Sequence, residues 1–337
     1  MAIFMTILNV KRSLQMKKLL RFIPIFLLIF ILAACGTQQD SEKKVSDNKQ
    51  ETKQQDQAFP VTITDGTDKK ITIDKKPEKI VSLLPSNTET AFALGLDKEI
   101  VGVSDFDNYP EQVQSKEKVG GQEFNVEKII SLKPDIVLAD ASQAHNSKDG
   151  LKQLEDSGIK VIAVNNASSF ADTYKTIEMI GAATGTKEKA DEIVDGMKAK
   201  VEEIKEKAAG ISKEEQPNVW MEISAPPDIY TAGSGTFMNE MLEMLGAKNI
   251  AAAEEGWPKY SEEAAVKANP DVMIITYGYY VKDAVEQAYS RKGWEEVSAI
   301  KNKRVYSVDS DKVSRPGPRL VEGLEEMAKA IYPDTFK

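Results

Sequence analysis

The chain holds one cysteine, Cys35, and one histidine, His145, among 337 residues. A single cysteine rules out a disulfide within the chain. A single histidine excludes the His-cluster sites that hold zinc or manganese. It also leaves no second histidine or further thiol for a nucleophilic dyad, and His145 lies in a polar stretch, residues 142–147, that reads as a loop. Carboxylate pairs are plentiful, but none stands apart from solvated surface charge. An enzyme is therefore not expected. Positive charge is the minority sign: 44 Lys and Arg against 53 Asp and Glu, a formal charge of −9. Without the first 35 residues, which carry five basic residues and no acid, 39 basic face 53 acidic residues, near −14. Such a balance disfavours nucleic acid as a partner. Long apolar runs are scarce as well. The most apolar stretch, Phe22 to Leu32, is eleven residues long and interrupted by Pro24, too short to cross about 30 Å of hydrocarbon comfortably.

What precedes and follows that stretch explains it. Met16-Lys17-Lys18-Leu19-Leu20-Arg21 is basic, and Leu32-Ala33-Ala34-Cys35 places small residues directly before the thiol. Basic, apolar and small residues in that succession form an export signal. With Cys35 at the cleavage boundary it resembles a lipoprotein signal, in which Cys35 becomes the lipidated N-terminus on the extracytoplasmic face of a cell membrane. Residues 1–15 add nothing to it, and initiation at Met1 or Met16 is left open. Gly36 to Gln57 contains Val45 as its only aliphatic residue, cannot offset its ordering entropy, and reads as a tether of roughly 25 Å root-mean-square span.

The folded part starts near Phe59. Val61 to Thr64 and Ile71 to Ile73 flank Asp65-Gly66 as a hairpin. Short apolar runs then alternate with helical spacing: strands at 80–84, 100–103, 136–139 and 161–164, and again at 219–223, 272–276 and 305–308. Helices are expected at 151–157, 237–245 and 320–331. The pattern is α/β with mainly parallel sheets. Between the halves, residues 186–209 keep Ile193, Met197, Val201, Ile204 and Ala208 in helical phase. Thr186 is positioned to cap the start and Gly210 the end. One helix of about 36 Å would join lobes 59–185 and 211–337.

A repeat links the lobes. Asn125-Val126-Glu127 leading to Lys133-Pro134-Asp135 recurs 136 residues later as Ser261-Glu262-Glu263 leading to Asn269-Pro270-Asp271. Asn125 and Ser261 are N-cap types; each proline stops its helix and opens a strand. Glu127 and Glu263 thus share one place, an exposed first helical turn. Acids favour that turn by roughly 0.3–1 kcal/mol, which accounts for either glutamate but not for the match. Glu89 and Glu240 form a weaker pair, each a few residues before a helix-ending glycine.

At these residues, together with Ile80 to Glu89, Val101 to Asp105, Tyr109-Pro110, Gly120-Gly121, Trp257-Pro258 and Arg315-Pro316-Gly317-Pro318-Arg319, the chain resembles the helical-hinge periplasmic-binding-protein family that delivers vitamin B12 and ferric siderophores. The segments keep the family's order from 59 to 333. The resemblance implies an extracytoplasmic binding protein of an ABC importer, monomeric, without cofactor or bound metal, whose cargo is a corrinoid or ferric siderophore. It implies that Glu127 and Glu263 dock on arginines of the permease dimer that works with ATPase subunits. It further implies ligand contacts at Phe106, Tyr230, Trp257, Asp311 and Arg315, with the backbone of Pro85, Ser86 and Asn87 lining the same cleft. Two corrin-stacking tryptophans of the family fall on Gly121 and near Asp140, which thins that aromatic wall. Haem is the alternative cargo, through His145, a tyrosine such as Tyr277, Tyr279 or Tyr280, or a methionine as axial ligand. A non-transport surface lipoprotein would need neither the helical hinge nor the paired acids. Trp257 as a core residue and Arg319 as a helix cap or carbonyl ligand are the bland alternatives.

Overall fold

The computed structural model describes residues 59–142 and 147–337, which fall within one compact unit, 54–337. Cys35, the export signal, the tether and His145 lie outside the described residues. No helix among the described residues is long and apolar enough to cross a membrane.

The hairpin forms as expected, β1 (Val61–Thr64) against β2 (Lys70–Ile73). The N-terminal half is built on β3 (Ile80–Ser82), β4 (Ile100–Val103), β5 (Glu117–Lys118), β6 (Ile136–Asp140) and β7 (Lys160–Val164), in the order β5-β4-β3-β6-β7. Every pairing in it is parallel. Its helices are α1 (Pro85–Ala93), α2 (Val126–Leu132), α3 (Lys148–Asp156) and α4 (Phe170–Thr184). After the long α5 (Lys187–Ala209) come β8 (Asn218–Glu222), β9 (Lys248–Asn249), β10 (Val272–Ile275) and β11 (Val305–Ser307). They form the C-terminal sheet in the order β11-β10-β8-β9, again parallel. Helices α6 (Phe237–Met244), α7 (Glu262–Ala268), α8 (Ala284–Tyr289), α9 (Ser298–Lys301), α10 (Ser310–Ser314) and α11 (Leu320–Ile331) complete it. The central strands β3, β6 and β10 are buried along their whole length. That is why they read as continuous apolar runs and not as alternation.

One apolar cluster extends from the hairpin through α4 and α5 into α6 and α11. In α5 the buried stripe is Ala190, Val194, Met197, Val201, Ile204 and Ala208. Ile193 is only half-buried, so the stripe enters the helix one residue away from the expected phase. Thr186 and Gly210 take the N-cap and C-cap positions of α5 as expected, but without a side-chain cap or a left-handed glycine. The Thr186 hydroxyl pairs with Thr184 Oγ1 at 2.9 Å and not with a helix N–H. Gly210 sits at φ −73°, a conformation open to any residue.

The repeat is structural. Asn125 and Ser261 accept hydrogen bonds from the Lys128 and Ala264 N–H groups. Lys133 and Asn269 end α2 and α7 in the left-handed region, at φ 53° and 49°. Asp135 then accepts from the Glu78 and Lys79 N–H groups, and Asp271 from that of Asn218. Each aspartate therefore staples the start of its strand to the neighbouring strand.

Candidate functional site

In open parallel sheets, ligand-binding loops gather at the carboxyl ends of strands, where the strand order reverses. Here the reversals lie between β3 and β6 and between β8 and β10. The first is flanked by Leu83 to Asn87 and the segment after Asp140, the second by the loops 223–230 and 276–283.

Phe106 lies on the loop after β4 and is 56% exposed. Its ring lies over Gly121, where a Cβ would stand 2.9 Å from Cζ. The phenyl group thus covers the root of the side chain that this position lacks. Ser104 Oγ donates to Asp107 Oδ2 at 2.6 Å, and Lys118 Nζ donates to the Ser104 and Asp107 carbonyls. Burial pushes the Asp107 carboxyl above its ordinary pKa, against the opposing effects of Ser104, Thr88 and Lys118. Its Oδ1 has no hydrogen-bond partner.

In the C-terminal half, Tyr230 and Trp257 are 43% and 45% exposed. Trp257 is therefore not a core residue. Both stand on one ribbon: Tyr230 bridges Lys259, and Thr231 and Gly233 donate to the Pro258 and Gly256 carbonyls. The ribbon requires Gly233, whose Cβ would meet the Glu254 carbonyl oxygen at 2.4 Å. Phe237 supports Trp257 edge-on at 5.6 Å. Two further exposed aromatics, Tyr279 and Tyr280, follow β10 with ring centroids 4.8 Å apart. The sequence reading considered them only as haem ligands. Their place beside the second reversal becomes visible once the strand order is known.

Asp311 and Arg315 meet the N-terminal half directly. Arg315 Nη1 donates to Glu89 Oε1 at 2.8 Å and to Asn108 Oδ1 at 2.7 Å, while Nη2 lies 3.0 Å from Asp311 Oδ1. Asn108 Nδ2 donates to Asp311 Oδ2 at 2.8 Å. Arg319 donates through Nε and Nη2 to both Glu89 oxygens, each at 2.8 Å, with its guanidinium 3.9 Å from the Tyr109 ring centroid. Arg319 occupies the N-cap position of α11, but its side chain makes no capping bond and serves as an ion-pair partner. These contacts form a clasp between the loops of the two sheets. Sequence reasoning missed it because Glu89 and Arg315 are 226 residues apart. The Glu89–Glu240 match holds in position but not in partners: Glu240 accepts from the Phe170 N–H.

Pro85, Ser86 and Asn87 are buried, and Asn87 Nδ2 donates to the Ala139 carbonyl. Glu127 and Glu263 are both exposed, in the first turns of α2 and α7. Each helix ends at the start of a strand, so both first turns lie towards the carboxyl ends of their sheets, where the clasp joins the halves. The neighbour of Glu263 is tethered inward. Glu262 accepts from Trp294 Nε1 at 2.9 Å and lies 4.0 Å from Arg291, which grips the fully buried Glu222.

A family model described as periplasmic binding protein matches residues 80–312. An uncharacterized ABC transporter substrate-binding lipoprotein, YvrC, of Bacillus subtilis is 52% identical over 307 residues, covering 91% of this chain and 95% of that one. A cobalamin-binding protein of Halobacterium salinarum is 31% identical over 291 residues, 83% of this chain and 76% of the relative. Among solved structures, one named a possible iron-binding (periplasmic solute-binding) protein from Staphylococcus epidermidis shares 42% identity. It has a TM-score of 0.69 and covers 77% of this chain and 100% of that one.

Proposed function

The chain belongs to the periplasmic binding protein family and is the substrate-binding protein of an ABC importer, and from that premise we propose that it captures a corrinoid between its two halves. One observation carries the ligand reading. Large aromatic faces stand exposed on the strand-end loops of both sheets, Phe106 on one and Tyr230 and Trp257 on the other. A macrocycle held between such faces buries a broad apolar surface on each side. The relative named a cobalamin-binding protein supports the same reading. Ferric siderophores are the second reading, favoured by the structural neighbour named a possible iron-binding protein.

In this account Cys35 carries the lipid that holds the protein on the outer face of the membrane, and residues 36–58 let the folded part reach the permease. The relative named a lipoprotein supports that anchor. Glu127 and Glu263 pair with arginines on the permease dimer. Single exposed ion pairs contribute little, but two at a fixed separation set orientation and on-rate.

The test is titration with cyanocobalamin, a ferric trihydroxamate, a ferric tricatecholate and haem, followed by tryptophan fluorescence and visible absorbance. Saturable quenching by cyanocobalamin, weakened about tenfold or more by Trp257→Ala, is the expected result. Absence of a response to all four removes the chelate reading, and a response to haem or a ferric siderophore alone replaces the corrinoid.

A further inference from the structure

We propose that Glu89 acts as a charge gate: by neutralising Arg315 and Arg319 across the clasp, it denies the site to polyanionic chelates. The proposal rests on the reading that cargo sits among Phe106, Tyr230 and Trp257.

Four arginines occur among the described residues, at 291, 304, 315 and 319. Among them Arg315 and Arg319 bond across to the N-terminal half, and a guanidinium there is a ready hook for catecholate, carboxylate or phosphate oxygens. Neither is free to serve. Glu89, 4% exposed, accepts three of their N–H groups. Asp311 and Asn108 occupy further donors of Arg315. Two cations are thus balanced by two carboxylates at the contact between the halves.

The surroundings carry more exposed acid than unpaired base. Asp105 is exposed beside Phe106, and Glu254 and Glu255 are exposed just ahead of Trp257. Lys118 is bonded to backbone carbonyls and Lys259 to Asp228, which leaves Lys282 as an exposed cation on the tyrosine loop. The face offered to cargo is broad and aromatic but acidic. A ligand with no net charge can settle on it, whereas a trianionic ferric tricatecholate meets like charge. A staple between the halves would explain one Glu–Arg pair. It does not require one buried carboxylate to hold two arginines, and it makes no distinction among ligands by their charge.

The experiment uses the full chain in detergent, as wild type, Glu89→Gln and Asp311→Asn. Dissociation constants are measured for cyanocobalamin and a neutral ferric trihydroxamate, and for a ferric tricatecholate. The readout is the ratio of neutral to trianionic affinity, at low salt and at about 0.5 M salt. The wild type should favour a neutral ligand. Glu89→Gln should shift the ratio towards the trianion by about tenfold or more, with most of that shift lost at high salt. Asp311→Asn, on the more exposed side of the clasp, should shift it the same way by less, and it decides the matter if Glu89→Gln does not fold. A wild type that binds the tricatecholate as tightly as the neutral ligands overturns the gate, as does a ratio that neither substitution moves. If only Glu89→Gln takes up the tricatecholate and nothing binds the wild type, the gate stands and the corrinoid reading falls. If no ligand binds any of the proteins, both fall.

Discussion

Replacing Arg291 with methionine probes the contacts that join Glu222 and Tyr277 to α7. Glu222 is fully buried, and Arg291 donates to it twice, at 2.8 and 2.7 Å. Trp220 Nε1 and the Tyr277 hydroxyl donate to the same carboxylate. Burial opposes the charge on Arg291, but the Glu222 hydrogen bonds and charge outweigh it and hold the guanidinium above its usual pKa. Burial also pushes the Tyr277 phenol up, with Glu222 adding to the shift. Removing the arginine strands a buried carboxylate, a change that costs about 3–5 kcal/mol. We therefore expect the Met variant to lose about 3–5 kcal/mol of stability at pH 7. Urea unfolding of wild type and variant measures it. A loss below about 1 kcal/mol refutes the reasoning.

Asp107→Asn tests the other strained carboxyl. Because burial raises the Asp107 pKa, its ionisation opposes folding: the favourable contribution is complete below the unfolded value of about 3.9 and is lost as pH rises through the folded value. The asparagine variant should be at least as stable as wild type at pH 7, with its relative advantage vanishing below about pH 4 in thermal melts. Asn125→Ala and Ser261→Ala remove matching caps and should each cost about 1 kcal/mol in urea unfolding; a loss at only one would break the structural equivalence of α2 and α7.

Much of the architecture was legible because it is local. The span of α11, the hairpin and the central strands follow from residue spacing, and the matched caps and prolines of α2 and α7 are written in neighbouring residues. The two-residue edge strands β5 and β9 carry too few side chains to show a period. The half-buried Ile193 shows that an apolar side chain at the right spacing need not face the core. Trp257 and Phe106 were named from resemblance, and the structure leaves both exposed. The clasp was invisible for another reason: no periodicity marks a buried glutamate whose partners come from the other end of the chain.

The most direct test of delivery to an importer is the double variant Glu127→Ala with Glu263→Ala, reconstituted with the permease and its ATPase subunits. The account predicts chelate affinity equal to wild type and transport reduced to the level without binding protein. Transport at the wild-type rate, or a loss of chelate affinity in the variant, would contradict it.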